Sequence, residues 1–204
     1  VDLGAVAKRA LDVGVAGVGM LAVSPILAMA AFAVLLTMGR PVLYRDRRSG
    51  LGGRPFDLLK FRTMRDLGPD ERIPDHDAIR VTRVGRFLRS TSIDELPALA
   101  NVVRGDMSLV GPRPLPVRYL DRYSPDQRRR LEVRPGISGW AQVNGRNRVG
   151  WDERFELDVW YVDHRSSRLD LTILARTVMA VVGRRGINAE GDRAMPEFTG
   201  PETT

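Results

Sequence analysis

The chain contains no cysteine, which removes disulfides, thiolate metal ligands and a cysteine nucleophile together. Histidine is almost as scarce, with only His76 and His164, so a histidine-rich metal site has little to draw on. Lysine is confined to Lys8 and Lys60, and arginine therefore supplies nearly all of the 32 basic residues. Against 25 acids this leaves a formal net charge of +7 and a pI near 10.6. Such a surface suits anionic partners, of which nucleic acid, anionic lipid headgroups and phosphorylated small molecules all qualify. Any chemistry falls to carboxylates and arginines. The 204 residues suffice for one domain of ordinary size and one appendage.

Charge is missing altogether between Asp12 and Arg40, where the run exceeds the roughly 20 apolar residues a helix needs to cross a bilayer. Ala28-Met29-Ala30 resembles a signal cleavage site, but the apolar run continues well past it. Ser24-Pro25 sits near the middle, and a proline there removes a backbone hydrogen bond and kinks or breaks the helix. Basic residues flank both ends, Lys8 and Arg9 on one side and Arg40, Arg45, Arg47 and Arg48 on the other. Because basic flanks stay cytoplasmic, both ends are drawn to the same side, as in a re-entrant hairpin. A proline-kinked spanning helix is the competing reading.

Downstream, Val42-Leu43-Tyr44 and Phe56 to Phe61 read as strands around a turn containing Gly50, Gly52 and Gly53. Those glycines lack the following Gly-Lys-Ser/Thr of a nucleotide-hydrolase loop. Lys60 and Arg62, two apart, share a strand face. Residues 66–77 are acid-rich, with Pro69 and Pro74, and read as a surface loop in which His76 is solvated rather than metal-bound. Arg80, Arg83, Arg86 and Arg89 recur every third position, a basic stripe if helical, with Val84, Phe87 and Leu88 on another face. Ser124-Pro125 opens a helix, Pro135-Gly136 reads as a turn, Gly139 to Val143 as a strand, and Asn144-Gly145 as a turn. Trp151, Phe155 and Val159 have helical spacing with their aromatics in the core, and Leu171 to Val182 is a final amphipathic helix.

The segment Ser90 to Pro114 carries the chemistry. Leu96, Leu99, Val102 and Val103 have helical spacing with Gly105 as a stop, which puts Asp94 and Glu95 in the first turn. Acids there are favoured by the helix dipole alone, and Ser92 to Glu95 matches a capping box. Pro97 conflicts with Ser92 as cap and is compatible with Asp94 as cap. Arg113, between Pro112 and Pro114, has a stiffened backbone that pre-orients its guanidinium for phosphate.

Four stretches together, Ser24-Pro25, KFRTM at 60–64, TSIDELPALANVVRGDMSLVGPRP and RPGISGWAQVNGRN at 134–147, resemble the bacterial monotopic phosphoglycosyl transferases over essentially the whole chain. The chain looks like the smallest members of that family, which lack additional amino-terminal spanning helices. The resemblance implies an α+β, mostly helical fold. Residues 1–40 form a re-entrant membrane helix broken at Ser24 and Pro25. Residues 41–204 form a cytoplasmic catalytic domain with a small β-hairpin and amphipathic interfacial helices. It implies transfer of a sugar phosphate from a UDP-sugar to polyprenyl phosphate at the inner membrane, with Mg²⁺ bound at Asp94. Asp94 is then the nucleophile and Glu95 its partner. Lys60, Arg62, Arg89 and Arg113 compensate phosphate charge, and Arg146, Asp158 and Asp170 are further binding candidates. Membrane lipids are implied partners and nucleic acid is not. The sugar and the oligomeric state stay open, a homodimer being one option.

Overall fold

The computed structural model describes residues 3–66, 80–145, 149–183 and 197–200. His76 and Arg146 lie outside the described residues. Over the rest the fold is mostly helical, with a small antiparallel hairpin and one short parallel strand pair.

Helices α1 (Leu3–Ala22) and α2 (Ser24–Met38) meet at a bend of 61°. Pro25 has no N–H to offer the carbonyl of Leu21, four residues back, and the Ser24 hydroxyl donates to that carbonyl instead, at 2.8 Å. The serine thus satisfies the acceptor that its neighbouring proline orphans. No single described helix is long and apolar enough to cross a membrane, though the bent pair together is.

Both ends of the pair are tied to the rest of the molecule. On α1, Lys8 reaches Asp170 at 2.6 Å, Arg9 donates to the Val103 and Met107 carbonyls, and Asp12 accepts from the Ser108 hydroxyl at 2.7 Å. On α2, Ala30 and Val34 bury against Phe61 and Leu88. Between the ties, large apolar side chains such as Val18, Leu21, Met29, Phe32 and Leu36 stay exposed.

The hairpin pairs β1 (Leu43–Ser49) with β2 (Pro55–Phe61) in the register Tyr44 opposite Lys60 and Asp46 opposite Leu58. Strand β2 is covered on both faces: Phe56 and Leu58 pack with Ala98, Val102 and Met107, while Phe61 packs with α2. Three of the four stripe arginines, Arg83, Arg86 and Arg89, lie on helix α3 (Arg83–Ser90), which is capped by the Thr82 hydroxyl, and Arg80 precedes it. The helix lies so close to the end of β2 that a Cβ on Gly85 would sit 2.0 Å from the Thr63 carbonyl oxygen. Phe87 does not join Val84 and Leu88 in the core; it is exposed.

The dyad segment departs from the expected first turn of an α-helix. Ile93–Ala98 is a 3₁₀ turn, and only Leu99–Arg104 (α4) is α-helical, ending at Gly105 in the left-handed region. Pro97 cannot supply the N–H an α-helical ladder needs there, and the chain tightens instead. Ser92 has a left-handed backbone, φ 57°, and its side chain makes no capping bond, so the capping box does not form.

Strand β3 (Ser108–Val110) pairs in parallel with β4 (Gly136–Ser138). The proline-glycine turn of the sequence is therefore the start of a strand. The strand expected over Gly139 to Val143 is helix α6 (Trp140–Asn144). Ser124 caps α5 (Pro125–Arg128) in a full capping box, and a 3₁₀ turn, Arg129–Glu132, follows. Helices α7 (Trp151–His164) and α8 (Ser167–Val182) match their sequence spacing. Phe198, from the C-terminal segment, is buried among Tyr119, Tyr123, Trp151 and Phe155.

Candidate active site

Asp94 and Glu95 open into a cleft of about 1300 Å³, bounded by the hairpin, α3, the Pro112-Arg113-Pro114 segment, α6 and α8. In a 3₁₀ turn successive side chains splay by about 120°, and the two acids accordingly have different surroundings. Glu95 Oε1 accepts from Arg113 Nη2 at 2.5 Å and from Lys60 Nζ at 3.1 Å. Burial by itself would raise the Glu95 carboxyl, but Arg113 and Lys60 override it and hold the group well below the usual carboxylate range. Asp94 accepts no hydrogen bond and forms no ion pair with a described residue. Burial and the negative charge of Glu95 push it up to about 6, while Lys60, Arg89 and Arg113 act in the opposite direction.

The surrounding cations are fixed by specific contacts. Lys60 projects from β2. Arg89, in the last turn of α3, donates from Nε to the Thr63 hydroxyl at 3.0 Å. Arg113 is set from behind: its carbonyl accepts from Arg130 at 2.6 Å, and Arg130 donates twice to Asp158 Oδ2, at 3.1 and 2.8 Å. This Arg130–Asp158 pair is almost fully buried, the two side chains being 2% and 3% exposed. Arg80, Arg86 and Arg154 also line the cleft.

The structure thus brings together Lys60, Arg89, Asp94, Glu95 and Arg113. It puts the other described candidates, Arg62, Asp158 and Asp170, to other uses. Arg62 borders the cleft, but its guanidinium donates to the Met38, Gly39 and Arg40 carbonyls and to Asp66, closing the end of α2. Asp158 reaches the cleft wall but is spent on Arg130. Asp170 does not line the cleft; it accepts from Lys8 and, at 2.7 Å, from the Tyr161 hydroxyl, tying α1 to α7 and α8. Sequence reasoning passed over Arg130, hidden in a run of three arginines, and over Tyr44, Asp46 and Arg48, whose alternation on β1 was the available signal.

For a metal, the described residues provide no group of three acids or histidines. Among the described carboxylates lining the cleft, Asp94 has neither oxygen engaged in a hydrogen bond. That fits a hard cation that keeps waters and takes substrate phosphate oxygens as its other ligands.

A cleft joining an unengaged carboxylate to a ring of cations suits an enzyme that acts on phosphate-bearing substrates. The family model for bacterial sugar transferases matches residues 3–184, and the chain belongs to that family. The uncharacterized sugar transferase EpsL of Bacillus subtilis is 48% identical over 193 residues, covering 95% of this chain and 96% of the relative. A UDP-glucose:undecaprenyl-phosphate glucose-1-phosphate transferase of Caulobacter vibrioides is 46% identical over 187 residues, covering 86% of this chain and 69% of the relative. The exopolysaccharide production protein ExoY of Rhizobium meliloti is 39% identical, covering 90% and 89%. The protein is an enzyme, a sugar transferase.

Proposed function

We propose that this protein moves a sugar 1-phosphate from a UDP-sugar to polyprenyl phosphate, releasing UMP, in two displacements at one phosphorus. The observation that carries the reading is the contrast within the dyad: Asp94 is unengaged and ringed by Lys60, Arg89 and Arg113, while Glu95 is pinned. The substrates are those named for the Caulobacter vibrioides relative, with the sugar left open.

In the first displacement an Asp94 carboxylate oxygen bonds to the β-phosphorus. The bond from that phosphorus to the oxygen bridging the two phosphates breaks, and UMP departs with the electron pair. The phosphosugar remains as an acyl phosphate on Asp94. In the second, a phosphate oxygen of the polyprenyl acceptor bonds to the same phosphorus and the Asp94 carboxylate leaves. Neither attacking group carries a proton that must be removed in its anionic form. Glu95 need not act as a base, and its bonds cast it as the post that fixes Lys60 and Arg113 over the phosphates. Asp94 would hold Mg²⁺, which when bound neutralises phosphate charge.

The lipid acceptor requires the cleft to lie at a membrane, and the bent helix pair supports a re-entrant segment. From Val13 to Ala22 α1 rises about 15 Å and α2 about 22 Å, each short of the roughly 30 Å hydrocarbon core. With α1 tied at Asp12 and α2 closed at its end by Arg62, both ends belong to one body and therefore to one side. That side is the cytoplasmic face, where UDP-sugars are found and where basic flanks stay.

The test is incubation of detergent- or nanodisc-solubilised protein with a panel of UDP-sugars, Mg²⁺ and undecaprenyl phosphate. One donor should yield equal amounts of UMP and lipid diphosphate-sugar, and Asp94→Asn should yield neither. Folded protein that releases UMP from no donor defeats the proposal.

A further inference from the structure

One wall of the cleft is lined by an ion pair and an aromatic ring, where the floor around Asp94 is lined by cations. Alternate residues of a strand share a face, so Tyr44, Asp46 and Arg48 of β1 point the same way, and all three line the cleft with Asp94 and Glu95. The hairpin register sets Tyr44 opposite Lys60, whose ammonium contacts Glu95 at 3.1 Å. The wall therefore adjoins the nucleophile, and the charge of Asp46 is felt at Arg113.

Its chemistry differs from that of the phosphate ring. Arg48 donates from Nη2 to Asp46 Oδ2 and from Nη1 to the Pro114 carbonyl at 3.4 Å. Asp46 Oδ1 has no donor among the described residues. Both side chains are 21% exposed, partly desolvated yet within reach of a ligand. Tyr44 is 55% exposed, its ring open to the cleft. An Arg–Asp pair is neutral overall and sets donors beside acceptors, which suits hydroxyls that both give and accept hydrogen bonds. An adjacent aromatic ring offers an apolar body with a polar tip to the C–H face of a pyranose. Of the other carboxylates lining the cleft, Asp94 is the proposed nucleophile, Asp158 is buried against Arg130, Glu95 is held by Arg113 and Lys60, and Asp66 is paired with Arg62 and 80% exposed. A sugar one oxygen away from the attacked phosphorus must lie beside Asp94, and the hairpin wall meets that condition.

We propose that Tyr44, Asp46 and Arg48 form the subsite that receives the donor's sugar and selects among sugars, an inference that rests on the UDP-sugar reading above. The experiment compares wild type, Asp46→Asn and Tyr44→Ala with UDP-glucose, UDP-galactose, UDP-N-acetylglucosamine and UDP-N-acetylgalactosamine, scoring UMP release. Affinities for UDP and for the preferred UDP-sugar are measured alongside. In both variants the preference in kcat/KM between best and next-best donor should shrink about 10-fold. The affinity advantage of UDP-sugar over UDP should shrink with it, while UDP itself binds as in wild type and so reports an intact site. If wild type discriminates and both variants keep its preference, the subsite is wrong and the transferase stands. If UDP affinity falls as far as UDP-sugar affinity, the wall serves phosphate or the fold, and the subsite is again wrong. A wild type that binds no UDP-sugar more tightly than UDP and releases no UMP defeats both readings.

Discussion

Replacing Asp94 by asparagine should raise the stability of the fold at neutral pH, whereas Glu95→Gln, one residue on, should lower it. The Asp94 carboxyl is pushed from 3.8 to about 6. A shift of that size corresponds to about 3 kcal/mol in full burial, and water reaching this half-buried side chain reduces it to about 1–2 kcal/mol. Below pH 4 the folded and unfolded chains both hold the proton. Between about 4 and 6 the unfolded chain has released it and the folded chain has not, so stability falls as pH rises and stays lower above. Asparagine has no such penalty, and its advantage should open across that window. Glu95 has the opposite sign: its folded pKa is depressed, so its contribution is present above its ordinary 4.5 and is lost as pH falls through the depressed value. Glutamine leaves Lys60 and Arg113 without their anion, at a cost of about 2–4 kcal/mol at pH 7. Thermal unfolding in detergent with EDTA, from pH 4 to 8, reads both changes at about 2–4 °C per kcal/mol for a chain of this size. An Asp94→Asn variant less stable than wild type at pH 7.5, or a Glu95→Gln variant indistinguishable from it, would refute the electrostatic assignment.

Asp158→Asn should cost about 3–5 kcal/mol in the same unfolding measurement, because it strands the buried Arg130 guanidinium. The double variant Arg130→Met/Asp158→Leu should regain most of that stability while UMP release stays low, since nothing then holds the Arg113 carbonyl. Phe198→Ala empties a site enclosed by four aromatic rings and should cost about 3–5 kcal/mol; a midpoint within 2 °C of wild type would mean the C-terminal segment is dispensable. Gly85→Ala forces α3 off the Thr63 carbonyl, and because Arg89 is carried on α3, UMP release should fall at least 10-fold, an effect larger than the roughly 1 kcal/mol that helix propensity alone would give in the other direction.

Where local pattern and burial agree, the sequence was legible. The hairpin, the Ser124-capped start of α5, and helices α7 and α8 follow from alternation, capping and 3.6-residue spacing. The long ordered motifs marked the dyad, Lys60, Arg89 and Arg113. What stayed hidden depends on contacts between distant residues. The 3₁₀ turn under Asp94 and Glu95 reflects one proline overriding a helical apolar pattern, with Ser92 turned left-handed instead of capping. Glycine at 136 reads as a turn until β3 is known to lie alongside it. Arg62 shares a strand pattern with Lys60, yet it serves the end of α2, and nothing local distinguishes the two. Asp158 and Asp170 were picked out as acids of the right kind, and their partners, Arg130 and Lys8, are 28 and 162 residues away. Phe198 follows polar, weakly patterned sequence and gives no sign of belonging to the core.

The proposed mechanism places the phosphosugar on Asp94. Protein incubated with its UDP-sugar and Mg²⁺ but no lipid acceptor, then quenched and weighed intact, should gain the mass of one sugar phosphate, with fragmentation placing it on Asp94. Addition of undecaprenyl phosphate should discharge it. An adduct on another residue, or stoichiometric lipid product with no adduct at any time before it, would contradict Asp94 as the nucleophile.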